Sequence, residues 1–152
     1  MQAAETRCLS FKLGEEIFAV DIGVVQEVVE WEKLEIAPRA PLFVMGVFNY
    51  HGRLIMVVDV SQFFGEISEE VNEDTRIIIL AGEEFNIGLK VDRANRIENF
   101  DKEGLRAGAA QIAEKGFIKA VVNHEGRLYN LIDIERLLES VEDQFDTEVQ
   151  RS

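Results

Sequence analysis

Residues 43–64 read FVMGVFNYHGRLIMVVDVSQFF, and residues 117–138 read FIKAVVNHEGRLYNLIDIERLL. A shift of 74 lays one on the other without a gap. Seven positions are then identical: Phe43/Phe117, Val47/Val121, Asn49/Asn123, Gly52/Gly126, Arg53/Arg127, Leu54/Leu128 and Asp59/Asp133. Seven more keep an apolar residue. Average residue usage gives only about one or two identities in such a window. The chain is therefore two diverged copies of one unit. Within each copy two β-prone runs flank a turn, Val44–Asn49 and Leu54–Val60 around Tyr50-His51-Gly52-Arg53 in the first. His124-Glu125-Gly126 makes the turn in the second, and the matched glycine fits a backbone with positive φ.

Working outward, the upstream parts echo each other as well. Leu9–Leu13 and Ile17–Ile22 flank Gly14-Glu15-Glu16, and Ile77–Leu80 and Phe85–Val91 flank Gly82-Glu83-Glu84. Each reads as a hairpin. A segment with spaced apolar residues follows each, Val24, Val25 and Val28 in one and Ala94 and Ile97 in the other. It reads as a short helical or irregular turn. The expected fold is mostly β, with about five strands per unit and a small barrel in each half, because closure removes exposed edges. Repeat units span about residues 8–65 and 76–140, as one domain of two intertwined subdomains over 8–140.

Asp59 and Asp133 each end an apolar run where a helical turn should begin, and an aspartate there accepts the free N–H groups. Gln62 stands three residues on, as in a capping box. The first such helix stops at Gly65. The second continues with Ile134, Leu137, Leu138, Val141 and Phe145 on one face, so an amphipathic C-terminal helix should pack on the body. An acidic tail is expected over 141–152. The connection 66–74 is acidic, Ala37-Pro38-Arg39-Ala40-Pro41 is extended, and 101–116, rich in Ala and Gly, can hold a loose helix.

Composition narrows the function. At 152 residues and 47% hydrophobic, the chain can bury a sizeable core. No apolar run approaches the roughly 20 residues of a membrane helix, so direct membrane insertion is not expected. A net charge of −13 repels nucleic acid and can steer basic partner surfaces. The start, MQAAETRCLS, has no basic segment followed by an apolar one, so no secretory signal is expected. Cys8 is the single cysteine, which fits a reducing, cytoplasmic location.

The residues of chemistry do not converge. His51 and His124 are not equivalent in the repeat and read as exposed turn residues. One cysteine and no H-E-x-x-H give no metal set, and no cofactor motif is present. Ser10, Ser61, Ser68, Ser140 and Ser152 stand in no G-x-S-x-G. The acid pairs Glu15-Glu16, Glu69-Glu70 and Glu83-Glu84 read as solvated turns, and Cys8 as a small apolar core group. An enzyme is not expected. Two barrels side by side do create an apolar seam, a natural place for a peptide or helix. Val24, Val25, Val28 and Val29 are more valine than one helical face can bury, so some should face that seam.

At this point the chain resembles a known family, the CheW chemotaxis coupling proteins, over about residues 8–140. The resemblance rests on FKLGEEIFAVDI at Phe11–Ile22, VQEV at Val25–Val28, PLFVMGVFN at Pro41–Asn49, GRLIMVVDV at Gly52–Val60, TRIIIL at Thr75–Leu80 and VDRA at Val91–Ala94, in that order. It implies two SH3-like five-stranded barrels, a C-terminal helix, and a scaffold joining the cytoplasmic tips of chemoreceptors to a histidine kinase. In the family the receptor's helical hairpin docks between the barrels. The kinase's own CheW-like regulatory domain docks end to end against one barrel. Val25, Glu27 and Val28 match the receptor-facing V-x-E-[IV] segment, and Ile77, Ile78, Gly88 and Val91 match the part that meets the kinase. The family usually reads N-L-R-G where this chain has Asn49-Tyr50-His51-Gly52, so His51 replaces an arginine tied to assembly. Met56 replaces a usual proline and Ala120 a usual glycine. These departures leave an alternative, a diverged module serving surface motility, second-messenger control or small-ligand sensing at the seam.

Overall fold

The computed structural model describes residues 5–82, 86–101 and 116–151, with side chains for all of these except Glu5 and 145–151. Ten strands run in chain order: β1 (Glu5–Leu13), β2 (Glu16–Asp21), β3 (Val25–Glu30), β4 (Val44–Tyr50), β5 (Arg53–Asp59), β6 (Arg76–Leu80), β7 (Ile87–Val91), β8 (Arg93–Asp101), β9 (Ile118–His124) and β10 (Arg127–Ile132). A helix, α1 (Ile134–Arg151), ends the chain, burying Ile134, Leu137, Leu138 and Val141 as its periodicity predicts. Phe145 lies outside the described side chains, as do Glu83 and Glu84 of the second expected turn and nearly all of the 101–116 segment.

The repeated hairpins form where the 74-residue shift puts them. β4 pairs with β5 from Val44↔Val58 to Tyr50↔Arg53, and β9 pairs with β10 from Ile118↔Ile132 to His124↔Arg127. Both turns place two successive residues at positive φ, His51 (50°) with Gly52 (84°) and Glu125 (53°) with Gly126 (82°). That is the turn whose twist matches a right-handed hairpin, and it explains the glycine kept in each copy. The repeat extends to single hydrogen bonds: Asp59 N–H donates to the Phe43 carbonyl, and Asp133 N–H to the Phe117 carbonyl, each at 2.7 Å. Both aspartates then cap. Asp59 accepts from the Ser61 N–H and hydroxyl ahead of a 3-10 turn at Val60–Phe63, and Asp133 accepts from the Arg136 N–H at the start of α1.

The strands of one repeat do not stay together. One sheet has the order β8-β1-β2-β10-β9, the other β3-β6-β7-β5-β4. Each takes three strands from one repeat and two from the other, so the expectation of a barrel in each sequence half is corrected to two SH3-like sheets with exchanged strands. The exchange runs through two pairings per sheet, one antiparallel (β1–β8, β3–β6) and one parallel (Phe18↔Asn130, Ile87↔Met56). The two orders map onto each other strand for strand, as a pseudo-twofold relation requires. In the second sheet, the chain after β3 returns to bridge β4 at Glu35↔Val47, which closes that barrel.

A second correction concerns the segments after the first hairpins. Only Ile22–Val24 is helical, a single 3-10 turn capped by Asp21, and VQEVVE is the strand β3. Likewise Ala94 and Ile97 lie in the nine-residue β8. Valines on both faces suit a strand packed on both, Val25 and Val28 against the large core and Val29 against the smaller one, and β-branching weighs against a helix.

Facing rows of side chains fill the space between the sheets. Val28, Ile78, Leu89, Val58 and Val44 stand side by side across the second sheet through successive pairings. Ala94, Phe11, Phe18, Asn130 and Val121 do so across the first. All of these except Ala94 and Asn130 belong to, or border, one continuous core, while Phe48, Ile55, Val57, Ile77 and Ile79 fill a smaller core inside the second barrel. Cys8 sits in the large core with no exposed surface, and burial, with the Asp21 charge adding, pushes its thiol up to about 12. It is inert packing, as its sequence context suggests.

One buried ion pair ties the parts. Lys90 Nζ on β7 lies 3.0 Å from Asp92 Oδ1, both side chains 2% exposed. Lys90 also donates to the Ser68 hydroxyl and, at 2.8 Å, to the Glu69 carbonyl. Asp92 accepts from Gly14 N–H (2.7 Å), Glu69 N–H (3.1 Å) and the Ser68 hydroxyl (3.0 Å). The β1–β2 turn, the connection between repeats and the end of β7 are thus clasped together, with every buried charge partnered. Burial alone raises the Asp92 carboxyl, but the Gly14 N–H, the Lys90 ammonium and the Glu69 N–H outweigh it and hold it below its ordinary value.

Two outcomes follow from this packing. A Cβ at Gly88 would come 2.6 Å from Ile77 Cγ2 and 3.2 Å from Ile55 Cγ2. Gly88→Ala should therefore lower stability by about 1–3 kcal/mol in urea denaturation, with the fold retained. Asp92→Asn leaves Lys90 buried without its counter-charge and should cost about 3–5 kcal/mol at neutral pH. Because the folded carboxyl titrates below the unfolded one, its contribution is present above about pH 4 and is lost as pH falls through the folded value. The gap between parent and Asp92→Asn should narrow over that acid range, and a gap independent of pH would contradict this.

Candidate functional site

β3 is an edge strand, hydrogen-bonded on one side only, to β6. Its register slips between Val25 and Glu27, a bulge of the sort that blunts an edge and re-aims side chains. Val25 and Val28 share a face with Leu80 and Ile78 and border the large core while staying half-exposed. Val29 turns inward to the smaller core, and Gln26, Glu27 and Glu30 are exposed. The edge therefore offers two partly open valines beside a free carboxylate.

His51 belongs to the same sheet, exposed at the β4–β5 turn with its ring 4.4 Å from that of Tyr50. The next side chain links this turn to the edge. Arg53 donates to Gln26 Oε1 (3.1 Å) and twice to Asn86 Oδ1 (3.0 and 2.8 Å). Arg53 thus ties the turn to the bulge at the start of β3, while Val28 lies further along the strand, level with Ile78, Leu89 and Val58.

The residues matched to a kinase contact fall elsewhere. Ile77, Ile78 and Val91 have no exposed surface, and Gly88 is walled in by Ile77 and Ile55. They are core residues of the same sheet, and a partner seated on this barrel meets their neighbours rather than these side chains. Periodicity does not separate a buried central strand from a docking strand, because both read as apolar runs.

Between the sheets lies the expected seam, and its walls are aromatic. Ring centroids step from Phe18 to Phe64 (4.8 Å), Phe64 to Phe117 (6.3 Å), Phe117 to Phe63 (5.5 Å) and Phe63 to Phe43 (5.1 Å). A hollow of about 370 Å³ opens there, lined by Phe18, Phe63, Phe64 and Ile118 with Glu16, Glu66 and Asn130 at its mouth. Burial first, then the Glu16 and Glu15 charges, push the Glu66 carboxyl upward. The opening is thus apolar inside and acidic outside, which favours cationic or amphipathic occupants.

Sequence reasoning missed one polar cluster. His124 is not an exposed turn residue. It is three-quarters buried on β9, with Nε2 3.4 Å from Glu98 Oε2. Tyr129 O–H donates to Glu98 Oε1 (3.3 Å), and Arg96 Nε donates to the same oxygen at 2.7 Å. The one available signal is that the repeat sets His124 opposite Tyr50, which is a ring for a ring. Among the described residues, no group of three or more His, Cys, Asp or Glu is placed to hold a metal ion. Nor is any described helix long and apolar enough to cross a membrane.

Comparison with known proteins agrees with this architecture. The CheW-like domain matches residues 7–142. The chain is 28% identical to the chemotaxis protein CheW of Rhizobium meliloti over 88% of each chain, and 28% identical to that of Thermotoga maritima over 90% of each. The crystal structure of the scaffolding protein TtCheW from Thermoanaerobacter tengcongensis superposes with a TM-score of 0.76 at 25% identity, covering 84% of this chain and 88% of that one. With two exchanged five-stranded sheets and a family match over nearly its whole length, the chain belongs to the CheW-like family.

Proposed function

We propose that this chain is a non-enzymatic adaptor that couples chemoreceptor cytoplasmic tips to the CheW-like regulatory domain of a histidine kinase. The family match and the relatives' names, chemotaxis proteins and a scaffold, support the adaptor role in chemotaxis-type signalling. They do not favour a separate pathway or a ligand sensor. The observation behind the receptor contact is the β3 edge, where half-exposed Val25 and Val28, packed against the large core, flank exposed Glu27. A receptor tip is helical in this reading. Its apolar stripe lies on the valines and its basic or amide side chains meet Glu27, in the helix-in-groove mode. His51 contacts the same partner from the neighbouring turn, with a single ring where the family's arginine offers a planar fork.

The kinase domain takes the end of a barrel in this reading. Ile77, Ile78, Gly88 and Val91 shape that barrel from within, so their substitution weakens kinase binding by way of stability. No turnover is expected from either contact.

Val25→Asp puts a charge where the edge meets the seam, and Glu27→Lys reverses the exposed charge. Each should weaken binding of a receptor cytoplasmic fragment at least about tenfold, or 1.4 kcal/mol, by titration calorimetry, with the thermal midpoint nearly unchanged in Glu27→Lys and lowered in Val25→Asp, which borders the core. Parent-like binding by both variants would remove β3 from the receptor surface.

A further inference from the structure

The pseudo-twofold relation gives β3 a counterpart, β8. Ala94 pairs with Phe11, Ile97 with Leu9 and Glu98 with Cys8, as Val25 pairs with Leu80, Val28 with Ile78 and Val29 with Ile77. Arg96 thus stands where β3 has Glu27, and Glu98 where β3 has Val29. The barrel interiors differ accordingly. Val29, Trp31, Tyr50 and Ile55 line one, and Glu98, Phe100, His124 and Tyr129 stand at the matching places in the other.

A carboxylate in place of a valine is costly unless a cation compensates it. Glu98 is 7% exposed, and its resident cation comes from the solvent side. Arg96 approaches from outside at 2.7 Å, yet its side chain is 67% exposed, and its other arm only reaches Glu125 Oε2 at 4.0 Å. The Arg96 guanidinium thus stays open to solvent while it holds the carboxylate, and an incoming guanidinium can compete for the same oxygens. Beside it is a hollow of about 360 Å³, lined by Arg96, Ile97, Glu98, Asn99, His124 and Glu125. Ile97 is 45% exposed at its edge. Phe100, His124 and Tyr129 pack ring against ring at 5.2–6.0 Å behind the carboxylate.

From this arrangement we propose that the β8 hollow is a second docking point, which accepts an arginine side chain of a protein partner against Glu98 and Glu125 while Arg96 swings aside. A guanidinium matches a carboxylate in two-pronged fashion, which Arg96 from its own strand does through one nitrogen. The chain's net charge of −13 draws such a partner in, and Ile97 gives the arginine's aliphatic stem an apolar bed.

The test is NMR titration of the whole chain at low salt with N-acetyl-L-arginine amide. There are two histidines, His51 and His124, so their ring signals are easily told apart. The probe should shift His124 saturably and leave His51 in place, and N-acetyl-L-leucine amide should shift neither. Arg96→Ala empties the guanidinium's place and should bind the probe at least threefold more tightly. Glu125→Gln should bind it at least threefold more weakly. Glu125 is exposed, so Glu125→Gln keeps the fold. Arg96→Ala leaves Glu98 to His124 and Tyr129, so its thermal midpoint is recorded beside the titration, and the Glu125→Gln arm decides the proposal if Arg96→Ala unfolds. Val25→Asp should leave this binding unchanged, which separates its outcome from that of the receptor reading. An unmoved His124, no gain in Arg96→Ala, or equal shifts with the leucine probe would overturn the proposal. Tighter binding of free L-arginine than of the capped amide would also overturn it, by pointing to a metabolite.

Discussion

Four strand pairings hold this molecule together, the antiparallel β1–β8 and β3–β6 and the parallel β2–β10 and β5–β7. Each joins strands from different repeats, so neither sequence half contains a complete sheet. Backbone donors and acceptors left open by the loss of one repeat would be those of central strands, which are the costliest to expose unpaired. The apolar rows between the sheets follow from the same exchange, because they exist only when both sheets are assembled. The Lys90–Asp92 clasp adds a polar lock where the β1–β2 turn, the inter-repeat connection and β7 meet.

Exchange also decides which surfaces are free. β6 and β7 lie in the middle of their sheet, so Ile77, Ile78, Gly88 and Val91 are committed to packing. β3 and β8 lie at sheet edges, where side chains can serve both core and partner. The two edges have diverged in opposite senses. One carries Glu27 over an apolar interior, and the other carries Arg96 over a buried carboxylate. A duplicated fold can in this way present two different faces to two different proteins without altering its frame.

Much of this is legible in the sequence, and the limits are physical. The hairpins at 43–64 and 117–138 declare themselves through matched glycines at positive φ and matched aspartates at helix starts. The C-terminal helix shows in the spacing of Ile134, Leu137, Leu138 and Val141. β3 and β8 are harder to read, because bulges break their alternation and valines line both faces of β3. The exchange of strands leaves no local trace, since Phe18 and Asn130 meet from opposite ends of the chain. Glu98 reads as one more surface acid until β8 folds it inward against Tyr129 and His124. Of the candidate site, Val25, Glu27 and Val28 lie on the β3 edge and His51 on an exposed turn of the same sheet, whereas the kinase-matched residues prove to be interior.

The claim beneath all of this is that the two sheets are one cooperative unit. The chain has one tryptophan and one cysteine, and they report on different sheets. Trp31 borders the small core of the second sheet, and Cys8 is buried on β1 of the first. Equilibrium unfolding in urea should be followed by Trp31 fluorescence and by alkylation of Cys8 in the same samples. Coincident transitions with one midpoint and one slope are predicted. Two separated transitions, one sheet melting while the other persists, would contradict the account.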